Sequence, residues 1–131
     1  MKNDTAGWVF FADKDMLAAK TLIDYKELTG EVAFLCQQAI EKYFKGYLAE
    51  HGKEIRKIHD LVKLYSDVKG IKDWNLDEDL LKDISKIYTE VRYPRNVGIK
   101  PDGVLPSTEE ALRYLEFAKK IEAIFMEEVV E

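Results

Sequence analysis

Residues 34–61, FLCQQAIEKYFKGYLAEHGKEIRKIHDL, decide the fold of this chain. Apolar residues recur every three or four positions through the first half of the stretch, which predicts a helix with one buried face. We expect this helix to run from about Glu31 to Glu50, and Gly52 follows where a left-handed residue favours helix termination. The predicted buried stripe comprises Val32, Cys36, Ala39, Ile40, Tyr43, Tyr47 and Leu48.

The same helix carries a polar turn, made of Gln37, Gln38, Glu41 and Lys42. Residues four apart share one side of a helix, so the first and third lie together, as do the second and fourth. The cluster has two interpretations. It is either a solvated helix side with ordinary pairings or the wall of a ligand site or subunit contact, and the residues alone leave both open.

The composition favours one globular domain over residues 1–131. Of the 131 residues, 47% are hydrophobic and 34% are charged, which is typical of a globular domain with a single core. The net charge of −5 argues against binding of duplex nucleic acid through bulk electrostatics, so we expect no duplex DNA partner. We also expect no membrane span and no signal peptide, because the longest apolar run near the start, Trp8 to Ala12, is too short.

Cysteine and histidine usage limits the chemistry. Cys36 is the single cysteine, so we expect no internal disulfide, no cysteine metal site and a reducing, cytoplasmic location. His51 and His59 are eight residues apart without a matched acidic pair, which is not the spacing of metal ligands. We therefore expect neither a metal nor a cofactor.

Helical periodicity also predicts the elements on either side of the central stretch. Helix 1 should begin at Asp4 or Thr5 as N-cap and run to about Leu28. A short helix should span about residues 59–68. The predicted apolar face of helix 1 comprises Trp8, Phe11, Ala18, Ala19, Leu22 and Tyr25.

Helix 4 is predicted between an asparagine and a proline. It should start after Asn75, whose side chain can cap it, and run to about Tyr93. Pro94 ends it, since the residue before a proline is pushed out of helical space. Residues 94–106 then form one long irregular loop, of a kind that is usually functional or mobile. Trp74, just before this helix, is expected to cover the core.

Helix 5 is predicted from a capping box. Ser107 and Glu110 have the spacing in which each side chain caps the backbone of the other, and the helix should run to about Val129. Its apolar residues cover more than one face. We therefore expect helix 5 either to be central in the fold or to meet a second subunit.

Two further places carry residues suited to binding or catalysis. Arg92, Tyr93 and Arg95 stand where helix 4 meets the loop, with Tyr88 one turn earlier, and rings beside guanidinium groups can hold a base and a phosphate. Arginine at a helix C-terminus is also favourable for dipole reasons alone, so this interpretation has a structural alternative. His59 is either a capping or packing histidine or a catalytic base.

The order of these motifs resembles the HEPN domain family. The segments that carry the resemblance are FLCQQAIEKYFKGYL, a basic turn, IHDLVKLY, and IYTEVRYP before a loop and a last long helix. The resemblance implies an all-α, up-and-down bundle of four long helices plus one short helix, usually a homodimer associated with nucleotide or RNA binding. Stand-alone prokaryotic members resemble the substrate-binding partner of a minimal nucleotidyltransferase encoded nearby.

Many other members of the family are metal-independent ribonucleases, often toxins of toxin–antitoxin pairs, in which Arg is followed after four to six residues by His. Counting from Arg92, those positions hold Val97, Gly98 and Ile99, and both histidines of this chain lie upstream. Without an imidazole there, the chain has no obvious general acid or base for cleaving RNA. We therefore expect a binding function and no catalytic residues.

The favoured hypothesis is a non-catalytic module that binds a nucleotide or substrate, acts as a homodimer and is paired with a nucleotidyltransferase. Two alternatives remain: a ribonuclease whose base has moved, for example to His59, and a protein that serves only interactions. The candidate ligand-binding residues are Arg92, Tyr93, Tyr88, Arg95, Gln37, Gln38, Lys42 and His59.

Overall fold

The computed structural model describes residues 1–90 and 105–129. These ranges contain five α-helices and no strand, which confirms an all-α bundle of four long helices plus one short helix. None of the helices in these ranges is long and apolar enough to cross a membrane. In chain order they are α1 (Asn3–Leu22), α2 (Thr29–Glu50), α3 (Leu61–Lys69), α4 (Glu78–Glu90) and α5 (Thr108–Val129), with a 3-10 turn at Lys26–Leu28 before α2.

α2 is the central element, because it packs against each of the other four helices. Its predicted stripe is confirmed, since every side chain of the stripe is at most 1% exposed. Gly46 allows α1 to approach closely, as a Cβ at this position would stand 3.1 Å from Trp8 Cβ. The helix ends as predicted, with Gly52 in the left-handed region at φ 66°. The central position suggested for helix 5 thus belongs to α2.

α1 differs from its prediction in both length and buried face. It begins at Asn3, ahead of the predicted caps, and ends at Leu22, short of Leu28, because Tyr25 adopts an extended backbone (φ −102°, ψ 108°). Phe11 and Tyr25 are 56% and 54% exposed, so neither belongs to the core face. The side chains that are buried mix small, polar and apolar types, which explains the weak sequence signal: Thr5, Val9, Ala12, Met16 and Ala19.

Tyr65 ties the link between α3 and α4 to the core. Its hydroxyl accepts hydrogen bonds from the backbone N–H groups of Trp74 (3.1 Å) and Leu76 (3.3 Å). The same hydroxyl donates to Asp73 Oδ1 at 2.9 Å. Trp74 is 4% exposed and packs on the ring of Tyr47, so it covers the core as predicted.

The cap of α4 is Asp77, and the prediction of Asn75 as its cap is wrong. Asn75 has a left-handed backbone (φ 55°) and turns the chain before the helix. Asp77 Oδ1 instead accepts a hydrogen bond from the backbone N–H of Leu80 at 3.1 Å. The predicted end of the helix at Tyr93 and the start of the loop at Pro94 lie outside the described residues.

α5 opens with the predicted capping box. Ser107 Oγ accepts a hydrogen bond from the backbone N–H of Glu110 at 3.0 Å, and Glu110 Oε1 accepts one from the backbone N–H of Ser107 at 3.0 Å. The helix packs along α2 and touches α1. Its broad apolar surface is explained in part by these two neighbours.

Candidate functional site

A groove of about 710 Å³ lies between α4 and residues 57–63, which lead into α3 and include its first turn. Its walls carry four lysines, two from each side: Lys57 and Lys63 on one wall, Lys82 and Lys86 on α4. The other lining residues are Ile58, His59, Asp60, Val62, Ser85 and Tyr88. The groove therefore combines several ammonium groups with two aromatic rings.

This concentration of positive charge stands on a chain whose net charge is −5. Asp60 is the one carboxylate among the described residues that line the groove. It serves as the N-cap of α3, and its Oδ1 accepts hydrogen bonds from the backbone N–H groups of Val62 (3.0 Å) and Lys63 (3.1 Å). A cluster of ammonium groups with one engaged carboxylate attracts anions, phosphate above all.

His59 is held in a fixed orientation beside these lysines. Both carboxylate oxygens of Glu41 lie close to its Nδ1, at 3.0 and 3.1 Å. The ring of Tyr88 stacks on one face, with ring centroids 3.8 Å apart and planes inclined by 22°. The His59 side chain is nevertheless 45% exposed. It is thus anchored at one edge and covered on one face while it remains accessible from the groove.

A buried polar network on α2 supports His59. Gln37, Glu41 and Lys45 are at most 6% exposed. Glu41 accepts hydrogen bonds from Lys45 Nζ at 3.1 Å and from Gln37 Nε2 at 3.2 Å. Gln37 Nε2 also lies 3.3 Å from the backbone carbonyl of His59. The interpretation of the polar turn as a solvated helix side is therefore wrong for Gln37 and Glu41, which are buried and bonded within the chain.

Gln38 and Lys42 have other partners. The ammonium group of Lys42 pairs with Asp15 of α1, and Gln38 Nε2 donates to Gln37 Oε1 at 2.6 Å. Of the two side-chain pairs that the four-residue spacing suggested, Gln37 bonds to Glu41, whereas Gln38 and Lys42 bond to other residues. Neither Gln38 nor Lys42 is among the residues that line the groove.

Of the candidate ligand residues, the structure brings His59 and Tyr88 together in the groove. Arg92, Tyr93 and Arg95 lie outside the described residues, as do the positions after Arg92 where a histidine would be expected. Their assignment to phosphate binding and stacking stays a prediction.

The sequence does not indicate the lysines of the groove as one cluster. Lys82 and Lys86 are four residues apart and therefore share a side of α4, which is a signal that the sequence carries. Lys57 and Lys63 come from a different segment. The two pairs meet only because α3 packs against α4, and no spacing along the chain encodes that contact.

Comparisons with known proteins agree with the architecture. The HEPN domain family matches residues 5–129. No curated protein matches the chain. The structure is similar to TT1696 from Thermus thermophilus (TM-score 0.73, 23% identity, covering 98% of this chain and 100% of that one). It is also similar to ST0689, an archaeal HEPN homologue (TM-score 0.68, 23% identity, 98% of each chain), and at these identities both likenesses concern the fold alone.

Proposed function

The chain belongs to the HEPN domain family, and from that premise we propose that it is a non-catalytic module that binds the phosphates of a nucleotide or of a single-stranded oligonucleotide. The observation that carries the proposal is the groove, which is lined by four lysines and by the stacked rings of His59 and Tyr88. Phosphate groups would lie among the ammonium groups and a base beside the rings.

The charge of the groove supports an anionic ligand. Ammonium groups gathered on two facing walls repel one another, and a phosphate between them replaces that repulsion with attraction. Asp60 is the one carboxylate among the described residues that line the groove, and its Oδ1 is already engaged in capping α3. The groove therefore favours a ligand with more than one negative charge.

The rings support a ligand that carries a base. Stacking of a base on an aromatic side chain contributes roughly 1–3 kcal/mol and tolerates every base. His59 has one face covered by Tyr88 and a side chain that is 45% exposed. The ring lines the same groove as the lysines, an arrangement suited to a ligand that has both a base and a phosphate.

Titration calorimetry with pentathymidylate, AMP and ATP tests the proposal. The double variant Lys63→Gln/Lys82→Gln should bind pentathymidylate more weakly and with a log–log salt slope about 1.4 smaller, because two phosphate contacts are lost. The control Lys20→Gln/Lys119→Gln makes the same change in net charge on α1 and α5. Equal affinities for the two variants, or no binding by the unmodified protein, would contradict the proposal. Arg92→Ala tests whether that arginine adds a further phosphate contact.

We extend the proposal to assembly: a homodimer that acts with a separately encoded nucleotidyltransferase. Membership of the family and the resemblance of the motifs support this extension. Light scattering at micromolar concentration should give twice the chain mass of 15.2 kDa. Co-purification with a small nucleotidyltransferase encoded next to this chain is the expected result for the partner, and a monomer that binds no such enzyme would remove this part of the proposal.

One observation favours a second candidate, a ribonuclease with His59 as its base. Glu41 bonds to Nδ1 of the ring, as a carboxylate does in hydrolytic dyads, and so leaves Nε2 to accept a proton. Nε2 would take the proton of a 2′-hydroxyl, O2′ would attack phosphorus, and the departing O5′ would take a proton from a groove lysine, giving a 2′,3′-cyclic phosphate and a 5′-hydroxyl end.

Incubation of single-stranded RNA with the purified protein decides between binding and cleavage. Cleavage that is lost in His59→Ala and retained in His51→Ala would establish the ribonuclease. RNA that stays intact while pentathymidylate binds supports the non-catalytic module. If the protein neither binds pentathymidylate nor cleaves RNA, the third hypothesis remains, in which the protein serves only interactions.

A further inference from the structure

We infer that His59 binds the anion in this groove as a protonated ring, so that ligand binding takes up a proton, and that Glu41 positions the ring for this purpose. The inference rests on the proposed function, since it needs an anion in the groove. It adds a proton to the binding reaction and assigns Glu41 as a positioning residue.

The contact with Glu41 fixes the tautomer of His59. An ionised carboxylate can only accept hydrogen bonds, so the nitrogen that faces both oxygens of Glu41 must carry a hydrogen. That nitrogen is Nδ1, at 3.0 and 3.1 Å. The carboxylate form of Glu41 suits its other two partners, because Lys45 Nζ and Gln37 Nε2 both donate to it. In the neutral ring, Nε2 therefore holds a lone pair.

Nε2 of His59 can meet a ligand either as an acceptor or as a donor. A lone pair on Nε2 repels a phosphate oxygen, which is itself an acceptor. Protonation turns Nε2 into a donor and adds a positive charge beside the bound phosphate. An anion that contacts this edge of His59 therefore favours the protonated ring over the neutral one.

Charged groups on both sides of the groove act on the same ring. Glu41 lies against one edge of the ring, and lysines from both walls line the same groove. A bound phosphate brings negative charge into this groove and offsets the charge of the lysines, so it favours a proton on Nε2 and couples binding to proton uptake. The charged and titratable groups that line the groove with His59 are Lys57, Asp60 and Lys63 from the segment around the start of α3 and Lys82, Lys86 and Tyr88 from α4, and Glu41 and Lys45 of α2 form the network behind it.

Calorimetry in two buffers of different ionisation enthalpy measures the proton directly. Pentathymidylate is the probe, because its phosphodiesters do not titrate near neutral pH and it lacks the 2′-hydroxyl that cleavage needs. The unmodified protein should take up protons on binding, and binding should tighten as the pH is lowered. His59→Gln should lose most of that uptake and bind several-fold more weakly. His51→Gln is the matched control and should behave like the unmodified protein.

The role of Glu41 is tested by the state of the ring. Nitrogen-15 NMR of His59 should show the tautomer with hydrogen on Nδ1, and Glu41→Gln should convert it to a mixture of tautomers. Glu41→Gln keeps the size of the side chain, so we expect the fold to stay intact. The NMR spectrum of the variant checks this.

The outcomes separate the two proposals. If the unmodified protein binds none of pentathymidylate, AMP and ATP, both the proposed function and this inference are wrong. If it binds AMP or ATP but not pentathymidylate, only this inference is overturned. If it binds without proton uptake, or if His59→Gln takes up as many protons as the unmodified protein, only this inference is overturned. A ring with hydrogen on Nε2 would overturn the positioning role of Glu41.

Discussion

Glu41 is the residue on which most of the polar interior depends. It is 5% exposed and accepts hydrogen bonds from Gln37 and Lys45 while it holds the ring of His59. A buried carboxylate is tolerated only when such partners replace water. The sequence suggested its pairing with Gln37, four residues earlier, but not its contact with His59 across eighteen positions.

We predict that Glu41→Leu destabilises the protein by about 3 kcal/mol, because it leaves the ammonium group of Lys45 buried without its counter-charge. Urea unfolding followed by circular dichroism measures the change. The double variant Glu41→Leu/Lys45→Met should recover much of the loss, since no uncompensated charge remains. A double variant as unstable as the single one would show that the ion pair is not the cause.

Cys36 provides a prediction about pH. Burial raises the pKa of its thiol to about 12, whereas a thiol in an unfolded chain titrates at about 8.5. The unfolded chain therefore loses this proton first, and stability falls as the pH rises above about 8.5. Between pH 7.5 and 9.5 the unmodified protein should lose roughly 1.4 kcal/mol more than Cys36→Ala does, measured by urea unfolding at each pH. Equal losses would contradict a protonated thiol in the folded protein.

At the scale of helices, sequence periodicity predicted the buried face correctly where one face of the helix is uniformly apolar. It did not where apolar side chains lie all around the helix. α2 has a continuous apolar stripe, and its burial was predicted correctly. α1 has large apolar side chains all around it: Phe10, Phe11 and Leu17 are each more than half exposed. Its core face includes Thr5, so hydrophobicity alone could not identify that face.

The crossing of α1 and α2 gives a prediction with an internal control. Replacing Gly with Ala in the interior of a helix makes the free energy of the helical state more favourable by about 1 kcal/mol. Gly7 has open space around it, so Gly7→Ala should stabilise the protein by up to that amount. At Gly46 the new Cβ would stand 3.1 Å from Trp8 Cβ, so Gly46→Ala should be at least about 1 kcal/mol less favourable than Gly7→Ala. Similar melting temperatures for the two variants would show that α1 can shift to make room.

The capping box of α5 gives a second prediction at this scale. Ser107→Ala removes the acceptor of the Glu110 N–H bond and should destabilise the protein by about 1 kcal/mol. Thr108→Ala, at the next position, removes a hydroxyl from an exposed residue and should change stability by less than about 0.5 kcal/mol. Thermal unfolding of both variants measures the difference, and a smaller effect of Ser107→Ala than of Thr108→Ala would count against the cap.

At the scale of the whole molecule, the groove depends on packing between helices. The sequence indicated His59 and Tyr88 as candidates, and the structure stacks them together. The lysines could not be predicted as a group, because Lys63 and Lys82 meet only through the contact between α3 and α4. Motif order identified the family well, since a family is defined by its sequence pattern. The composition of the groove depends on how α3 packs against α4, and no local sequence pattern encodes that packing.

The central position of α2 has a consequence for amide hydrogen exchange. Backbone hydrogens exchange through local openings wherever an element can detach by itself, and α2 cannot detach without separating from all four other helices. We predict that the amides of residues 36–48 exchange only through global unfolding and are the slowest to exchange among the described residues. The amides of α3, a helix of nine residues, should exchange faster, through smaller openings. Faster exchange in α2 than in α5 would contradict this. A ligand that joins the two walls of the groove should then slow exchange in α3 and α4 more than in α2, and so reveal its site by difference.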